Sequence, residues 1–157
     1  VSIAADNASV VINSSEIVAR YYGVTVGASG VELSVNGGTV QGWAAIMFTA
    51  NDWTVDRIKS NKGAVVNAQG AELVGRSISD EGYGIVVVQQ DYNGAELTFT
   101  DCTMLTTVED GKTGAWQGGI VVRSYGNKIS VSGGYIESSN ITERNLMGLA
   151  IVSWPNT

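Results

Sequence analysis

The sequence predicts an all-β domain organised as a parallel β-helix, a solenoid in which short strands from about six successive coils stack in register. Three observations support this prediction. A four-residue strand motif occurs six times, a second strand motif alternates with it, and no segment between them has the 3.6-residue apolar period of an amphipathic helix.

The first motif is a small residue followed by two apolar residues at alternate positions. Since alternate side chains of a strand point to opposite faces, the second and fourth residues of each copy are predicted to face the core. The six copies are Gly23-Val24-Thr25-Val26, Ala45-Ile46-Met47-Phe48, Gly63-Ala64-Val65-Val66, Gly84-Ile85-Val86-Val87, Gly119-Ile120-Val121-Val122 and Gly148-Leu149-Ala150-Ile151.

The second motif places alternating apolar residues on both sides of a pair of small residues. Complete copies begin at Val10, Leu33, Leu97 and Ile129. A shortened copy is predicted at 73–78 and a degraded one at 55–58. The central pair, Gly-Gly in two copies, is predicted to form a corner, because small residues allow tight turns and positive φ.

Composition excludes several classes of function. The 157 residues suit one domain, 1–157, and the net charge of −6 argues against a nucleic-acid partner or docking on an anionic membrane. No apolar run reaches the roughly 20 residues needed to span a bilayer, so no membrane insertion is expected. Histidine is absent and cysteine occurs once, so we expect neither a metal site nor a cofactor.

The start at Val1, without Met or a secretion signal, suggests a mature chain or a fragment of a longer protein or assembly.

Two strings carry a resemblance to a known superfold. Leu33-Ser34-Val35-Asn36-Gly37-Gly38-Thr39-Val40 and Ile129-Ser130-Val131-Ser132-Gly133-Gly134-Tyr135-Ile136 resemble coils of single-stranded right-handed parallel β-helix proteins. That superfold includes pectate-lyase-like enzymes, bacterial surface adhesins and phage tail spikes, and this chain is most similar in character to Gly-Gly-Thr repeat adhesins and tail-spike-type proteins. The resemblance implies an extracellular location: secreted, on the cell surface or on the virion surface.

Two long insertions are the first candidate functional region. The segments 106–118 and 137–147 follow the second motif in neighbouring coils, where the other coils have short connections, so stacking should place them side by side. Their polar and aromatic residues suit saccharide binding, although harmless surface loops are the alternative. The candidates are Trp116, Glu109, Asp110, Glu137, Glu143 and Arg144.

Aromatic residues just after the first motif are the second candidate. Trp53, Tyr92, Tyr125 and Trp154 occupy related positions in four coils and would form a row of exposed rings that stack on sugars. The alternative is stacking within the molecule or an oligomer contact.

The third candidate is an outward apolar stripe on the sheet formed by the first motif. Such a stripe predicts a contact with a second copy or a neighbouring domain, unless it reflects only the strand preference of β-branched residues. The interface candidates are Met47, Val65, Val86, Val88, Val121 and Val152.

These features favour a non-catalytic extracellular or virion-associated module for adhesion, glycan recognition or structural assembly. We expect it to have no cofactor and to form a homo-oligomer or to contact a neighbouring domain of the same assembly. The alternative is a polysaccharide-degrading lyase or glycosidase. The resemblance implies that a lyase would need stacked Asp residues for Ca²⁺ beside an Arg or Lys base, which this sequence does not place on consecutive coils. A glycosidase would need two carboxylates about 5–9.5 Å apart, for which Glu109 or Asp110 with Glu137 or Glu143 are the candidates.

Overall fold

Strands, and no helices, make up the part of the chain that the computed structural model describes, which is residues 1–49, 61–80, 82–90, 92–114, 116–123, 126–138 and 146–151. Every strand pair is parallel. The strands are β1 (Ser2–Ile3), β2 (Ser9–Val18), β3 (Tyr22–Val26), β4 (Glu32–Gly42), β5 (Ala44–Phe48), β6 (Asn61–Lys62), β7 (Val65–Gln69), β8 (Glu72–Ser77), β9 (Tyr83–Gln90), β10 (Tyr92–Asn93), β11 (Glu96–Thr100), β12 (Thr103–Val108), β13 (Trp116–Arg123), β14 (Lys128–Ser132), β15 (Tyr135–Ser138) and β16 (Leu146–Ile151).

One sheet has six strands in the order β1-β3-β5-β9-β13-β16, and it contains the first sequence motif. Residues in register on successive strands form ladders. Val24, Ile46, Val87 and Ile120 form one ladder whose members are all buried, as the alternation predicts. This sheet therefore contributes one wall of the core.

The other large sheet has eight strands and is strongly curled. The first part of β4 pairs with β7 and the second part with β8, so the sheet bends where β4 passes through Gly37 and Gly38. Strands β11 and β14 continue the sheet on one side of the bend, and β12 and β15 continue it on the other. A separate two-stranded pair joins β6 to β10.

Positive φ recurs at two stacked turns that frame this sheet. One set lies two residues before the strands β2, β4, β7, β11 and β14, and the other lies at the bend seven residues later. The first set is Asn7, Gly30, Gly63, Gly94 and Gly126, and the second is Ser14, Gly37, Gly70, Asp101 and Gly133. Three of the ten are not glycine, so the turn is imposed by the fold even where the side chain opposes it.

The hydrophobic core lies between the two large sheets. The chain passes repeatedly from one sheet to the other: β2, β4, β7–β8, β11–β12 and β14–β15 lie in the curled sheet, and β3, β5, β9, β13 and β16 lie in the six-stranded sheet. One buried cluster joins residues of both, including Leu33 and Phe99 from the curled sheet and Ile46 and Phe48 from the other. Burial of each such side chain stabilises the fold by about 1.5–3 kcal/mol.

The predicted third copy of the first motif is wrong. Gly63-Ala64-Val65-Val66 leads into β7 of the curled sheet, where Val66 pairs with Leu33 and Leu97. The segment from Val66 to Leu73 is a complete copy of the second motif, and the shortened copy predicted at 73–78 begins at the last residue of this copy. Its Gly70-Ala71 pair lies at the bend. The degraded copy at 55–58 lies outside the described residues.

In the fourth copy of the first motif, the residues that pair with the second copy lie two positions later than the motif alignment predicts. Val87, rather than Ile85, pairs with Ile46, and Gln89 pairs with Phe48 and Val122. A polar residue therefore occupies a core ladder, and Gln89 is fully buried there.

Candidate functional site

Aromatic residues mark the corner where the chain passes from the curled sheet into the six-stranded sheet. Four consecutive strands of the six-stranded sheet have one at or directly before their first residue: β3, β5, β9 and β13. We call this set the aromatic corner. It comprises Tyr21, Tyr22, Trp43, Tyr83 and, by backbone position alone, Trp116.

The rings of Tyr21 and Trp43 form the centre of the aromatic corner. They pack edge to face with ring centroids 5.0 Å apart and planes at 90°. Tyr21 remains 49% exposed, and Tyr22 and Tyr83 are also exposed. The indole Nε1 of Trp43 is buried and has no hydrogen-bond partner within the described part of the chain. The corner thus offers exposed tyrosine ring surface, whereas the indole donor is not accessible to solvent.

One arginine contacts these rings, and a second lies on β8, whose Gly75 pairs with Gly42 directly before Trp43. The guanidinium of Arg20 lies over the Tyr21 ring, with its central carbon 5.5 Å from the ring centroid. Arg76, on β8, forms an ion pair with Glu109 at 3.6 Å, and both side chains are partly exposed.

Two loops rise beside the aromatic corner. Only Trp43 separates β4 from β5, whereas residues 78–82 separate β8 from β9 and residues 109–115 separate β12 from β13. Asp80 joins these loops: one of its carboxylate oxygens accepts the Thr113 backbone N–H at 3.0 Å, and the other lies 4.0 Å from Lys112 Nζ. The longer loops therefore form a step next to Trp43.

The predicted side-by-side placement of the long insertions can be followed only in part. Residues 106–108 and 116–118 of the first insertion belong to β12 and β13, which leaves 109–115 as the loop. In the second, β15 ends at Ser138 and β16 begins at Leu146, and the residues between them lie outside the described part. Glu143 and Arg144 belong to that undescribed segment.

A buried polar group lies beneath the loop 109–115. Gln117 is almost fully buried, and its Oε1 has no hydrogen-bond partner among the described residues. Ser77 is also buried and donates a hydrogen bond to the Ser79 carbonyl at 3.0 Å. A side chain at Gly114 would crowd both Gln117 and Ser77, so the loop packs closely on these groups.

The loop carboxylates already have partners or lie far apart. Glu109 pairs with Arg76, Asp110 is exposed, and Glu137 accepts a hydrogen bond from the Tyr135 hydroxyl. That hydrogen bond raises the pKa of Tyr135. Glu137 pairs with Leu105, four residues before Glu109, so the backbones of the two glutamates are roughly 13 Å apart along the strand direction.

At Tyr92, the one position of the predicted aromatic row that the structure describes, the structure shows the alternative, which is stacking within the molecule. Tyr92 is fully buried rather than exposed. Its hydroxyl donates to the Ala28 carbonyl at 2.7 Å, and its ring packs edge to face on Phe48 at 5.2 Å. Burial raises the pKa of Tyr92 to about 12, with a further contribution from the negative charge of Asp6. Trp53, Tyr125 and Trp154 lie outside the described residues.

The predicted apolar stripe is shorter than expected. Met47, Val88 and Val121 form one outward ladder of the six-stranded sheet, in which Met47 and Val88 are partly exposed and Val121 is buried. Val86 is fully buried in the core rather than outward. Val65 lies in the curled sheet, paired with Glu32 and Glu96, so it is not part of this stripe. Val152 lies outside the described residues.

No group of three or more potential metal-ligating side chains occurs among the described residues. Within the same residues, no helix has the length and apolar character needed to cross a membrane.

Comparison with protein-family models, with curated proteins and with solved structures finds no match to this chain.

The sequence contained a signal for the aromatic corner. An aromatic residue stands one or two positions before the small residue of the first motif, in Tyr22-Gly23, Trp43-Ala44-Ala45 and Tyr83-Gly84. The prediction considered only aromatic residues that follow the motif, and for this reason it missed Tyr21, Tyr22, Trp43 and Tyr83.

Proposed function

We propose that this chain is a right-handed parallel β-helix that acts as a non-catalytic glycan-recognition module outside the cell or on a virion surface. The architecture is supported by the parallel register of strands that alternate between two sheets, and by the two stacked sets of positive φ. Right-handedness is supported by the strong preference of parallel crossovers for that hand.

The observation that carries the functional proposal is the edge-to-face pair of Tyr21 and Trp43, together with the exposed rings of Tyr22 and Tyr83 at the starts of β3 and β9. Exposed aromatic side chains have a cost in water, because their apolar faces are not removed from solvent. Their flat faces match the C–H faces of sugar rings, while the tyrosine hydroxyls can hydrogen-bond to sugar hydroxyls.

The spacing of the aromatic residues suits a chain of sugars. Successive strands are about 4.8 Å apart, so aromatic residues at the starts of four strands span about 14 Å across the sheet, with Tyr83 and Trp116 one residue out of line with Tyr21 and Trp43. Tyr21 and Trp43 lie in connections of only three residues and one residue between strands, and such short connections limit the ordering cost of recognition.

A glycan array tests the proposal. The purified protein is expected to bind a subset of glycans, and the double substitution Tyr21→Ala with Trp43→Ala is expected to reduce that binding by at least tenfold. Tyr135→Ala is the matched control, because Tyr135 is an exposed tyrosine on β15, away from the corner. Thermal unfolding establishes that each variant is folded.

Three outcomes would overturn the proposal. Absence of binding to every glycan, or equal binding by the double variant, would remove the aromatic corner as a saccharide site. Release of reducing ends or unsaturated products from a polysaccharide during incubation would contradict the non-catalytic assignment.

A further inference from the structure

We infer that the saccharide bound at the aromatic corner carries an isolated anionic group, a carboxylate or a sulfate, and that Arg20 and Arg76 bind it. This inference rests on the proposed function and names the class of ligand.

The two arginines lie near the ends of the strands on either side of β4. Gln41, near the end of β4, pairs with Val18 on β2 and with Val74 on β8, and Gly42 pairs with Gly75. Arg20 follows Val18 by two residues, Arg76 follows Gly75 directly and pairs with Thr107, and Trp43 follows Gly42 where the chain turns into the six-stranded sheet. Neighbouring strands are about 4.8 Å apart, so the backbones of the two arginines are roughly 10 Å apart across the sheet, a separation that two long side chains and one sugar residue can span.

Arg20 has no ion-pair partner among the described residues. Arg76, Lys112 and Lys128 each have a carboxylate within 4.0 Å. No ion pair within the described part of the chain involves Arg20, and its guanidinium lies over the Tyr21 ring instead. A guanidinium stacked on an aromatic face keeps its edge N–H groups free to donate, and these match the geometry of a carboxylate or sulfate.

Arg76 can exchange its partner. Its pair with Glu109 is 3.6 Å long, and the side chains are 41% and 44% exposed. Ion pairs this exposed contribute about 0–1 kcal/mol, because water and salt screen them. A ligand anion held in place by ring stacking gains charge-assisted hydrogen bonds from Arg76 at little cost to the fold.

The charge of the whole chain narrows the class of ligand. The net charge of −6 repels a dense polyanion, and Glu109 balances the charge of Arg76, so Arg20 is left to attract a single anionic group. A mostly neutral saccharide with isolated acidic groups satisfies both conditions.

Paired glycans on an array test the inference. Each pair consists of a carboxylated or sulfated saccharide and the parent that lacks the group, such as sialyllactose or sulfated lactose beside lactose. The wild-type protein is expected to prefer the acidic member of the pairs it binds by at least tenfold. Arg20→Gln and Arg76→Gln are each expected to reduce that preference at least threefold, and Arg20→Lys should restore part of it. Lys128→Gln, which removes an exposed cation on β14, is the matched control and should leave the preference unchanged.

The outcomes separate this inference from the proposed function. Binding that requires Trp43 but does not distinguish acidic from neutral glycans would overturn the inference and leave saccharide recognition intact. A preference for acidic glycans that survives both arginine substitutions would also overturn it. Loss of preference in Lys128→Gln to the same degree would show a general charge effect and contradict the assigned residues. Absence of all glycan binding would overturn both proposals.

Discussion

Gly63 and Gly70 lie seven residues apart, and both have positive φ, 75° and 58°. The same separation occurs between Asn7 and Ser14 and between Gly94 and Asp101. The connections outside this segment differ in length from one copy to the next. A segment of constant length lets strands stack in register even though the connections vary, so this pair of turns defines the repeat better than its apolar residues do.

The first prediction separates backbone strain from steric crowding at the bend. A Cβ at Gly70 would have no heavy atom within 4 Å, whereas at Gly38, where φ is 77°, it would overlap the Ser15 backbone. Gly70→Ala is expected to lower the free energy of unfolding by about 1–2 kcal/mol, the cost of a left-handed L-residue. Gly38→Ala should lower it by more, because the backbones must also move apart. Urea unfolding measures both, and equal losses would contradict this account.

The same turns explain which parts of the fold the sequence predicted. Alternating apolar residues correctly indicated strands and their inward faces, as for Val24 and Val26 or Leu33 and Val35. Alternation does not distinguish one sheet from the other, and Gly63-Ala64-Val65-Val66 was assigned to the wrong one for that reason. Gly63, seven residues before Gly70, shows that this segment belongs to the curled sheet.

The second limit on the sequence prediction was the strand register within an unbroken run of apolar residues. Ile85 to Val88 are all apolar, so either alternate pair could face the core. The structure places Val87 and Gln89 in the inward ladders and also buries Val86. A buried glutamine cannot be predicted from hydropathy, because its burial depends on hydrogen-bond partners that come from distant parts of the chain.

The sequence prediction of the candidate site was limited because it considered only one side of the first motif. It considered aromatic residues after the motif, where Tyr92 is buried and its hydroxyl donates a hydrogen bond to the Ala28 carbonyl. Before the motif, Tyr21, Tyr22 and Tyr83 remain exposed. Sequence spacing is similar in the two cases, and only the long-range packing on Phe48 separates a core ring from a surface ring.

The second prediction concerns pH. The pKa of Tyr92 is raised to about 12 by burial and by the charge of Asp6, whereas an unfolded tyrosine titrates near 10. Between these values the folded state binds more protons, so stability is fully present below about pH 10 and falls as pH rises toward 12. The loss at pH 12 is expected to be of the order of 2–3 kcal/mol. Denaturant unfolding from pH 9 to 12 measures it.

Tyr92→Phe is the control for that titration. This variant should be less stable at neutral pH by about 1 kcal/mol, because the Ala28 carbonyl loses its donor. It should lose less stability than the wild type above pH 10. An unchanged pH dependence would show that another group is responsible.

The third prediction concerns the polar group in the core. Gln89 Nε2 donates to the Tyr92 carbonyl at 2.6 Å and to Asn127 Oδ1 at 2.7 Å, and Asn127 Oδ1 also accepts the Ala95 N–H at 2.9 Å. Asn127→Ala is expected to cost about 1–3 kcal/mol, because it removes the acceptor of two donors. Gln89→Leu should cost less, since its ladder neighbours are apolar and its Oε1 has no partner within the described residues.

A double-mutant cycle tests whether these residues act together. The double variant should be more stable than the sum of the single losses predicts, by at least about 0.5 kcal/mol, because the two side chains share a hydrogen bond. Strict additivity in thermal or urea unfolding would show that the hydrogen bond contributes no coupling.

The fourth prediction concerns assembly. Met47 and Val88 pair in the outward ladder of the six-stranded sheet and are partly exposed there, next to Val121. We expect this short stripe to contact a second copy of the chain. The double substitution Met47→Lys with Val88→Lys should then dissociate the oligomer, since burying two unpaired charges in a contact costs several kcal/mol. It should leave the monomer folded, because both side chains point away from the core. Light scattering gives the mass, and thermal unfolding monitors the fold.

Thr25→Lys, in the same ladder one strand before Met47, measures how far the contact extends. A monomeric wild-type protein would contradict the prediction, and unfolding of the double variant would show instead that the stripe is covered by the chain itself.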